Sequence, residues 1–293
     1  MVNAISSSAG SKIRVREITE IDIDGVTDLL AHGFPGRRRQ FWSKVLARLA
    51  RHPTPAGLPK FGYLLESRGA PVGAILLIFS QMPNGANCAI RCNVSSWYVE
   101  PSYRIYASLL AAKALSHKDV TYLNITAAPH TRPVAQAQGY SQYSTGVFIA
   151  VPALDLFGCE AGVAAFDPRR DVDVEPFERD LLLEHAEYGC VSLWVATAEG
   201  GHPFVFRPRV LKGILGCAQL IYCRDIEDLI RCAGPIGRYL ARRGKPLVIV
   251  DANGPIPALV GKYFAGKMPR FFRGPNRPRL GDLAYTEAAM FGV

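Results

Sequence analysis

The chain of 293 residues is long enough for two domains, and with 49% apolar and 20% charged residues its composition is ordinary for a globular protein. Its seven cysteines form no CxxC pair and have no histidine at ligand spacing, which argues against a zinc site and favours buried, reduced thiols. Residues 1–150 carry sixteen Lys and Arg against eight Asp and Glu, whereas residues 151–293 carry eighteen against seventeen, so we expect the first half to meet an anionic partner.

The chain opens on a small, polar stretch, Met1–Lys12, which lacks the apolar core of a secretion signal. No apolar run approaches the length of about 20 residues that a membrane-spanning helix needs. We interpret the stretch as a loose tail and expect a cytoplasmic protein with no membrane partner.

The first half follows the order strand, two helices, hairpin, strand, helix, strand, helix, strand. The predicted elements are a strand at Lys12–Ile18, helices at Asp22–His32 and Arg38–Arg51, a hairpin of Phe61–Ser67 and Val72–Gln81, a strand at Ala89–Val99, a helix at Tyr103–Leu115, a strand at Val120–Thr126, a helix at His130–Gln138 and a strand at Gln142–Val151.

The second predicted helix, Arg38–Arg51, carries an apolar stripe that includes Trp42, and a basic face formed by Lys44, Arg48 and Arg51. A basic face of this kind is typical of a solvated surface. It also fits a wall that attracts an anionic acceptor, or a helix that lies on a membrane surface.

The most informative stretch is the junction between the predicted strand Ala89–Val99 and the helix that follows. Pro101 suits the first turn of a helix because its missing N–H would be unpaired there. The N–H groups of a helix that directly follows a strand converge on one spot and favour an anion. The junction Glu100–Ser102 is therefore the first candidate site.

The second half repeats part of this order, as hairpin, strand, helix, strand. The predicted elements are a linker at Leu154–Glu175, a helix at Pro176–Tyr188, a hairpin of Cys190–Ala198 and Pro203–Val210, a strand at Ile214–Cys223, a helix at Ile226–Arg243, a strand at Pro246–Asp251, a solvated loop at Lys267–Arg279 and a closing strand at Leu283–Met290. The recurrence predicts an internal duplication into domains 1–152 and 153–293, each α+β with a mixed, largely antiparallel twisted sheet flanked by helices.

Two motifs of the first half resemble the GCN5-related N-acetyltransferases, the acyl-CoA N-acyltransferase superfamily. Val99-Glu100-Pro101-Ser102-Tyr103-Arg104, followed by Leu109-Leu110, is similar to the end of that family's fourth strand and its cofactor-binding turn. Asn124-Ile125-Thr126 through Gly139-Tyr140 resembles its fifth strand, short helix and closing Gly-aromatic pair. Tandem arrangements of this fold occur in the superfamily, and the second half matches by architecture alone.

The resemblance implies a co-substrate, acetyl-CoA or another acyl-CoA, whose acyl group passes to an amine of a small molecule or peptide. By position it implies that the cofactor contacts Trp97, Tyr98, Val99, Arg104, Ile105, Tyr106, Ala107, Ser108, Asn124 and Thr126. His130, on the loop after the fifth strand, is a candidate general base, although a surface loop histidine is the simpler interpretation. Cys92 and Ser96 lie on the fourth strand, where the family often places a base or a water-holding group; neither is a strong base unaided, so direct attack by the amine is the expected mechanism. The acceptor would lie between the basic helix and the second half.

Two departures from the family pattern keep other functions open. Arg104–Leu109 supplies no glycine where the family has two, and Ala135 stands at the position of its frequent tyrosine acid. A catalytically silent relative that binds an anionic ligand or partner is the first alternative. A tRNA-dependent aminoacyl transferase, which the basic first half would suit, is the second; nucleic acid is otherwise not an expected partner. In the second half, Asp225, Glu227 and Asp228 open the corresponding helix and would repel phosphate, so we expect any acyl-CoA to bind the first half.

Overall fold

The computed structural model describes residues 13–292 except 86, 156–158, 171 and 212, and the predicted tail Met1–Lys12 lies outside this part of the chain. Its strands are β1 (Ile13–Glu17), β2 (Gly62–Ser67), β3 (Ala70–Asn84), β4 (Asn87–Val99), β5 (Val120–Asn124), β6 (Ser141–Ala150), β7 (Gly162–Ala165), β8 (Val191–Thr197), β9 (Gly200–Leu211), β10 (Leu215–Cys223), β11 (Leu247–Ala252) and β12 (Gly261–Arg273). Its α-helices are α1 (Ile23–Gly33), α2 (Arg39–Arg51), α3 (Ala107–Ala114), α4 (Arg132–Ala137), α5 (Pro176–Glu187), α6 (Ile226–Arg231), α7 (Ala233–Ala241) and α8 (Glu287–Met290).

The chain divides into two compact units whose bounds differ from the predicted 1–152 and 153–293. Unit 1 comprises Met1–Phe79 with Val94–Lys118, and unit 2 comprises Ser80–Asn93 with Asp119–Val293. The long strands β3 and β4 contribute residues to both. The predicted duplication therefore stays a prediction.

Unit 1 is built on an antiparallel ladder of β1, β2 and β3, with the amide of Glu100 bonded to the carbonyl of Val72 where β4 ends. The apolar stripe of α2 is buried as predicted, with Trp42, Leu46 and Leu49 at most 3% exposed. Lys44 and Arg51 are exposed, whereas Arg48 is half-buried. The predicted solvated face is thus confirmed at Lys44 and Arg51, and its role as an acceptor wall stays a prediction.

Within the described residues, the strands of unit 2 from β4 onwards lie in the order β4-β5-β12-β6-β11-β10-β9-β8-β7. The pairs β4–β5 and β10–β11 are parallel, and the other pairs in this order are antiparallel. The predicted mixed, largely antiparallel sheet with flanking helices is confirmed. One buried cluster of this unit includes Leu123, Ile125, Tyr143, Leu181 and Leu283.

The strand β12 lies between β5 and β6 in the sheet, and the sequence pattern did not predict it. Phe271 pairs with Asn124 of β5 and with Gln142 of β6. The predicted loop Lys267–Arg279 is therefore wrong over its first seven residues, and the predicted strand Leu283–Met290 is wrong because α8 occupies its end. Glycine, proline and four cations give β12 low strand propensity, so the pairing partners on both sides, rather than local preference, create the strand.

The predicted helix Ile226–Arg243 is two helices that break at Cys232. Pro235 has no N–H with which to bond the carbonyl of Arg231, and the amide of Cys159 donates to that carbonyl instead, at 3.0 Å. The predicted linker likewise contains a short strand, β7, paired with β8.

None of the described cysteines forms a disulfide bond. Five are buried, Cys159 is half-buried with its sulfur 3.9 Å from that of Cys232, and Cys88 is exposed. Burial raises the pKa of the Cys232 thiol to about 12, so it is protonated at neutral pH. Among the described residues no His, Cys, Asp and Glu side chains cluster as metal ligands, and none of the helices has the length and hydropathy needed to cross a bilayer.

Candidate functional site

The junction after β4 forms an exposed corner of unit 1. A 3-10 helix, Pro101–Tyr106, leads into α3, so the predicted α-helix Tyr103–Leu115 begins as 3-10 and becomes α-helical at Ala107. Ser102 and Arg104 are exposed, and no acidic residue or side-chain cap occupies the first turn of α3. The positive end of the helix dipole and one guanidinium are therefore available to an anion.

The predicted cofactor-binding residues Ile105 to Ser108 follow this corner. Ile105 is 79% exposed, so its side chain leaves the corner towards solvent. Tyr106 and Ala107 are half-buried and Ser108 is exposed. The amide of Ala107 donates to the carbonyl of Arg104, which tightens the turn.

The part of β4 that belongs to unit 1 is strained at Ser96. Its φ of 50° lies in the left-handed region, which is uncommon for a non-glycine residue within a strand. Its hydroxyl is 2.9 Å from that of Ser95. Strain of this kind persists only where the surrounding structure imposes it, and it is frequent at functional sites.

We expect Ser96→Gly to be more stable than Ser96→Ala by about 1 kcal/mol, because both variants lose the hydroxyl but only glycine adopts a positive φ without a steric penalty. Urea unfolding of the two variants beside wild type would measure the difference. An alanine variant as stable as the glycine variant would show that position 96 carries no backbone strain.

The three residues after Ser96 differ in what their side chains offer. The buried indole N–H of Trp97 has no acceptor among the described residues. The ring of Tyr98 packs against Gly33, where an added Cβ would come within 2.3 Å of it. Val99 is buried against Gly73. The Trp97 side chain therefore presents a buried donor that a ligand could use. Val99 has no polar side-chain group, so the contact expected of it would be made by its backbone.

The remaining predicted site residues lie in unit 2. Cys92 is fully buried on the face of β4 opposite Arg91, so its thiol is shielded from an acceptor. His130 is exposed in the 3-10 turn Pro129–Thr131. Asn124 ends β5, and the Thr126 hydroxyl beyond it donates to the Glu287 carboxylate at 2.5 Å.

Two buried ion pairs of unit 2 stand next to these residues. Arg270 is 1% exposed; its Nε and Nη2 bind Asp251 at 2.8 and 3.0 Å, and its Nη1 donates to the carbonyl of Ile125. Arg91 binds Asp282 at 3.0 and 3.3 Å and the carbonyl of Ala284 at 2.5 Å. Arg270 therefore ties β12 to the end of β5, immediately before Thr126.

The second pair affects the pKa of Asp282. Burial alone would raise that pKa, but the nearby charges of Arg91 and Arg279 outweigh burial and lower it. A carboxyl whose pKa is lower in the folded than in the unfolded protein stabilises the fold at pH values above the unfolded-state pKa. This contribution is lost as the pH falls through the folded-state pKa. The Asp282 carboxyl is thus ionised at neutral pH.

Asn93 and Tyr143 add unpartnered polar groups to unit 2. Asn93 is 1% exposed, and neither its Oδ1 nor its Nδ2 has a partner within the described ranges. The buried hydroxyl of Tyr143 likewise has none, and burial followed by the nearby Asp251 raises its pKa. A buried polar group without a partner costs about 1–3 kcal/mol, which favours a ligand that would satisfy it.

The sequence pattern did not indicate the two buried ion pairs or the contact of Thr126 with Glu287. Arg270 lies in the predicted loop Lys267–Arg279, Glu287 lies in the predicted strand Leu283–Met290 and Asp282 falls between the two. The partners of all three are distant in the chain. The one available signal was the concentration of charged residues between Lys262 and Glu287, which did not reveal the pairing.

The first turn of α6 is acidic, as predicted. The Asp225 side chain accepts from the amide of Glu227 at 3.3 Å, and Asp228 adds a further carboxylate to the turn. This helix start therefore opposes an anion, in contrast to the start of α3.

No protein-family model matches the sequence, and no curated protein matches it either. Solved structures do match this chain in their fold. A GCN5-related N-acetyltransferase from Kribbella flavida is 14% identical with a TM-score of 0.56, over 90% of this chain and 71% of that one. Another from Anabaena variabilis is 11% identical with a TM-score of 0.57, over 89% and 72%. Eis1 from Mycobacterium abscessus is 12% identical with a TM-score of 0.53, over 89% and 73%. As the sequence resemblance predicted, the chain has the fold of the GCN5-related N-acetyltransferases.

Proposed function

We propose that the protein transfers an acyl group from an acyl-CoA, acetyl-CoA being the simplest, to an amine of a small molecule or peptide. The observation that carries the proposal is the corner of unit 1, where the exposed Arg104 precedes α3 and no acidic residue lies in the first turn of that helix. The resemblance of the β4 junction to the family pattern implies that this corner would hold the CoA phosphates. The likeness to N-acetyltransferase structures over about nine-tenths of the chain supports it.

In the proposed reaction the amine nitrogen attacks the thioester carbonyl carbon, a C–N bond forms and the C–S bond breaks. The proton lost by the amine ends on the CoA sulfur. Strand amides near Trp97 would polarise the carbonyl. His130 is exposed and remains the proposed proton acceptor, with Ser96 as a proposed water-holding group; we assign no step to the buried Cys92.

Titration calorimetry of the full chain with acetyl-CoA and longer acyl-CoAs tests the proposal. We expect saturable binding that weakens as salt increases, because the phosphates contribute electrostatically. The acyl chain that binds best would identify the donor. No heat with any acyl-CoA, by a protein shown to be folded, would contradict the proposal.

One observation favours a second function, a catalytically silent protein that binds an anion. No residue from Pro101 to Ser108 is a glycine, so the backbone approach to a pyrophosphate is more restricted than in the family pattern. Retention of CoA without acylation of any amine would support this second function. Salt-sensitive retention on RNA, in the absence of CoA binding, would instead favour the tRNA-dependent alternative.

A further inference from the structure

Unit 2 brings two cysteines into contact, Cys159 and Cys232, which are 73 positions apart in the sequence. Their sulfur atoms lie 3.9 Å from each other. Cys159 precedes β7 and is half-buried, whereas Cys232 lies at the break between α6 and α7 and is fully buried. No step of the proposed reaction uses either thiol, so what this pair does is independent of acyl transfer.

The backbone on both sides of the two thiols is held by hydrogen bonds. The amide of Cys159 donates to the carbonyl of Arg231 at 3.0 Å, so the two segments meet one residue before Cys232. The amide of Cys232 donates to the carbonyl of Asp228 at 3.0 Å, and its carbonyl accepts from the amide of Ile236 at 3.1 Å. Because both segments are fixed in this way, the distance between the sulfurs changes by side-chain rotation.

The segment that leads to Cys159 also packs closely on α7. A Cβ added to Gly237 would lie 2.1 Å from the amide nitrogen of Ala153, and one added to Gly234 would lie 2.6 Å from the carbonyl oxygen of Asp155. The helix and the segment are therefore in direct backbone contact, which the two glycines permit. This contact holds the segment against the start of α7, next to its cysteine.

The position of the sulfurs is close to that of a disulfide. A disulfide bond is about 2.05 Å long, so the present 3.9 Å has to shorten by roughly 1.9 Å. Rotation about a Cα–Cβ bond moves a sulfur by this much without moving the chain. The two residues therefore need no rearrangement of the backbone to be joined.

We propose that Cys159 and Cys232 are a site of reversible oxidation, at which a peroxide converts the two thiols into an intramolecular disulfide. Cys159 reacts first because solvent reaches it: its sulfur attacks one peroxide oxygen, the O–O bond breaks, and a sulfenic acid and water form. The Cys232 sulfur then attacks the sulfenic sulfur. The S–S bond forms, the S–O bond breaks, and the hydroxyl leaves with the thiol proton as a second water. In sum, the two thiols lose two electrons and one peroxide is reduced.

Burial assigns the two thiols their order. It raises the pKa of the Cys232 thiol, which therefore stays protonated at neutral pH and reacts poorly with peroxide by itself. The bridge closes a loop that contains β7, α5, β8, β9, β10 and α6. Closing a long loop restricts the unfolded chain, so the oxidised protein is the more stable form. A thiol reductant reverses the step by exchange.

Peroxide treatment of the full chain tests the proposal, in a Cys88→Ser background because the exposed Cys88 would otherwise link two molecules. Trypsin releases residues 119–169 and residues 232–238 as peptides whose only cysteines are Cys159 and Cys232, respectively. We expect non-reducing mass spectrometry to find these two peptides joined. The melting temperature should rise by about 5 °C or more, and dithiothreitol should reverse both changes.

Cys159→Ser in the same background is the matched control, because serine is close in size to cysteine and lacks the sulfur. Treated identically, it should give no joined peptide and no rise in melting temperature. Its melting curve in dithiothreitol shows that it is folded, and Cys232→Ala repeats the control from the other side.

Two results would overturn the proposal. One is a treated protein in which Cys159 has taken up two or three oxygen atoms while Cys232 is still alkylated after denaturation. The other is a disulfide that joins either residue to a different cysteine. A joined pair whose melting temperature does not rise would contradict the stabilising effect of the bridge.

Discussion

Replacing Arg270 with methionine is expected to lower the free energy of unfolding by about 3–5 kcal/mol, the largest loss that we predict for a single side chain. The substitution leaves the Asp251 carboxylate, which is 7% exposed, without its two guanidinium bonds. It also removes the donor to the carbonyl of Ile125. A buried charge and a buried acceptor are both left unpaired, and water cannot easily replace the lost partners.

Two further variants make the result diagnostic. Arg270→Met combined with Asp251→Leu should recover much of the stability, because the uncompensated charge is gone. Arg16→Met is the comparison in unit 1; Arg16 pairs with Asp22 at 2.7 Å and with Glu66 at 2.6 Å, and the three side chains are 24%, 10% and 20% exposed. Solvent reaches all three side chains and partly screens their charges, so we expect a loss of about 1 kcal/mol. Urea denaturation measures the free energy of unfolding of each variant. A loss from Arg270→Met no larger than that from Arg16→Met would show that the buried pair contributes no more than the partly exposed ones.

Replacing Arg104 with glutamate is expected to weaken acyl-CoA binding about 30-fold. At a separation of about 4 Å in a largely solvated site, a unit charge contributes about 1 kcal/mol, so reversing its sign removes an attraction and adds a similar repulsion. The resulting change of about 2 kcal/mol corresponds to this factor in the dissociation constant. Stability should change little because Arg104 is exposed.

Arg68→Glu is the control for net charge. Arg68 is an exposed residue of unit 1 in the turn between β2 and β3, and its replacement changes the total charge by the same amount. We expect less than about a threefold effect on the dissociation constant, since salt screens distant charges. If the two variants weaken binding equally, the effect belongs to the overall charge and the α3 corner is not the phosphate site.

The sequence was informative wherever a signal is local. The apolar stripe of α2, the Pro101 turn before α3 and the acidic first turn of α6 are all patterns within a few residues, and the structure contains each of them. The resemblance of the β4 junction to the acetyltransferases also rested on neighbouring residues, and it led to the correct fold.

The prediction failed where a partner lies far along the chain. Nothing in the sequence near Arg270 indicates that β12 pairs with β5 and β6, because each strand acquires its hydrogen bonds from residues more than a hundred positions away. The same separation concealed the contact of Thr126 with Glu287 and that of Arg91 with Asp282.

By itself, the sequence determined the order of most elements, the type of fold and the turn after β4, because helix caps, turns and apolar periodicity are properties of adjacent residues. Only the tertiary structure decided which cations are neutralised and which remain available. Arg270 and Arg91 bind buried carboxylates, whereas Arg104 is exposed at the corner after β4. The electrostatic energy of a charged side chain depends on its distance from the opposite charge, and folding sets that distance between residues that are far apart in the sequence.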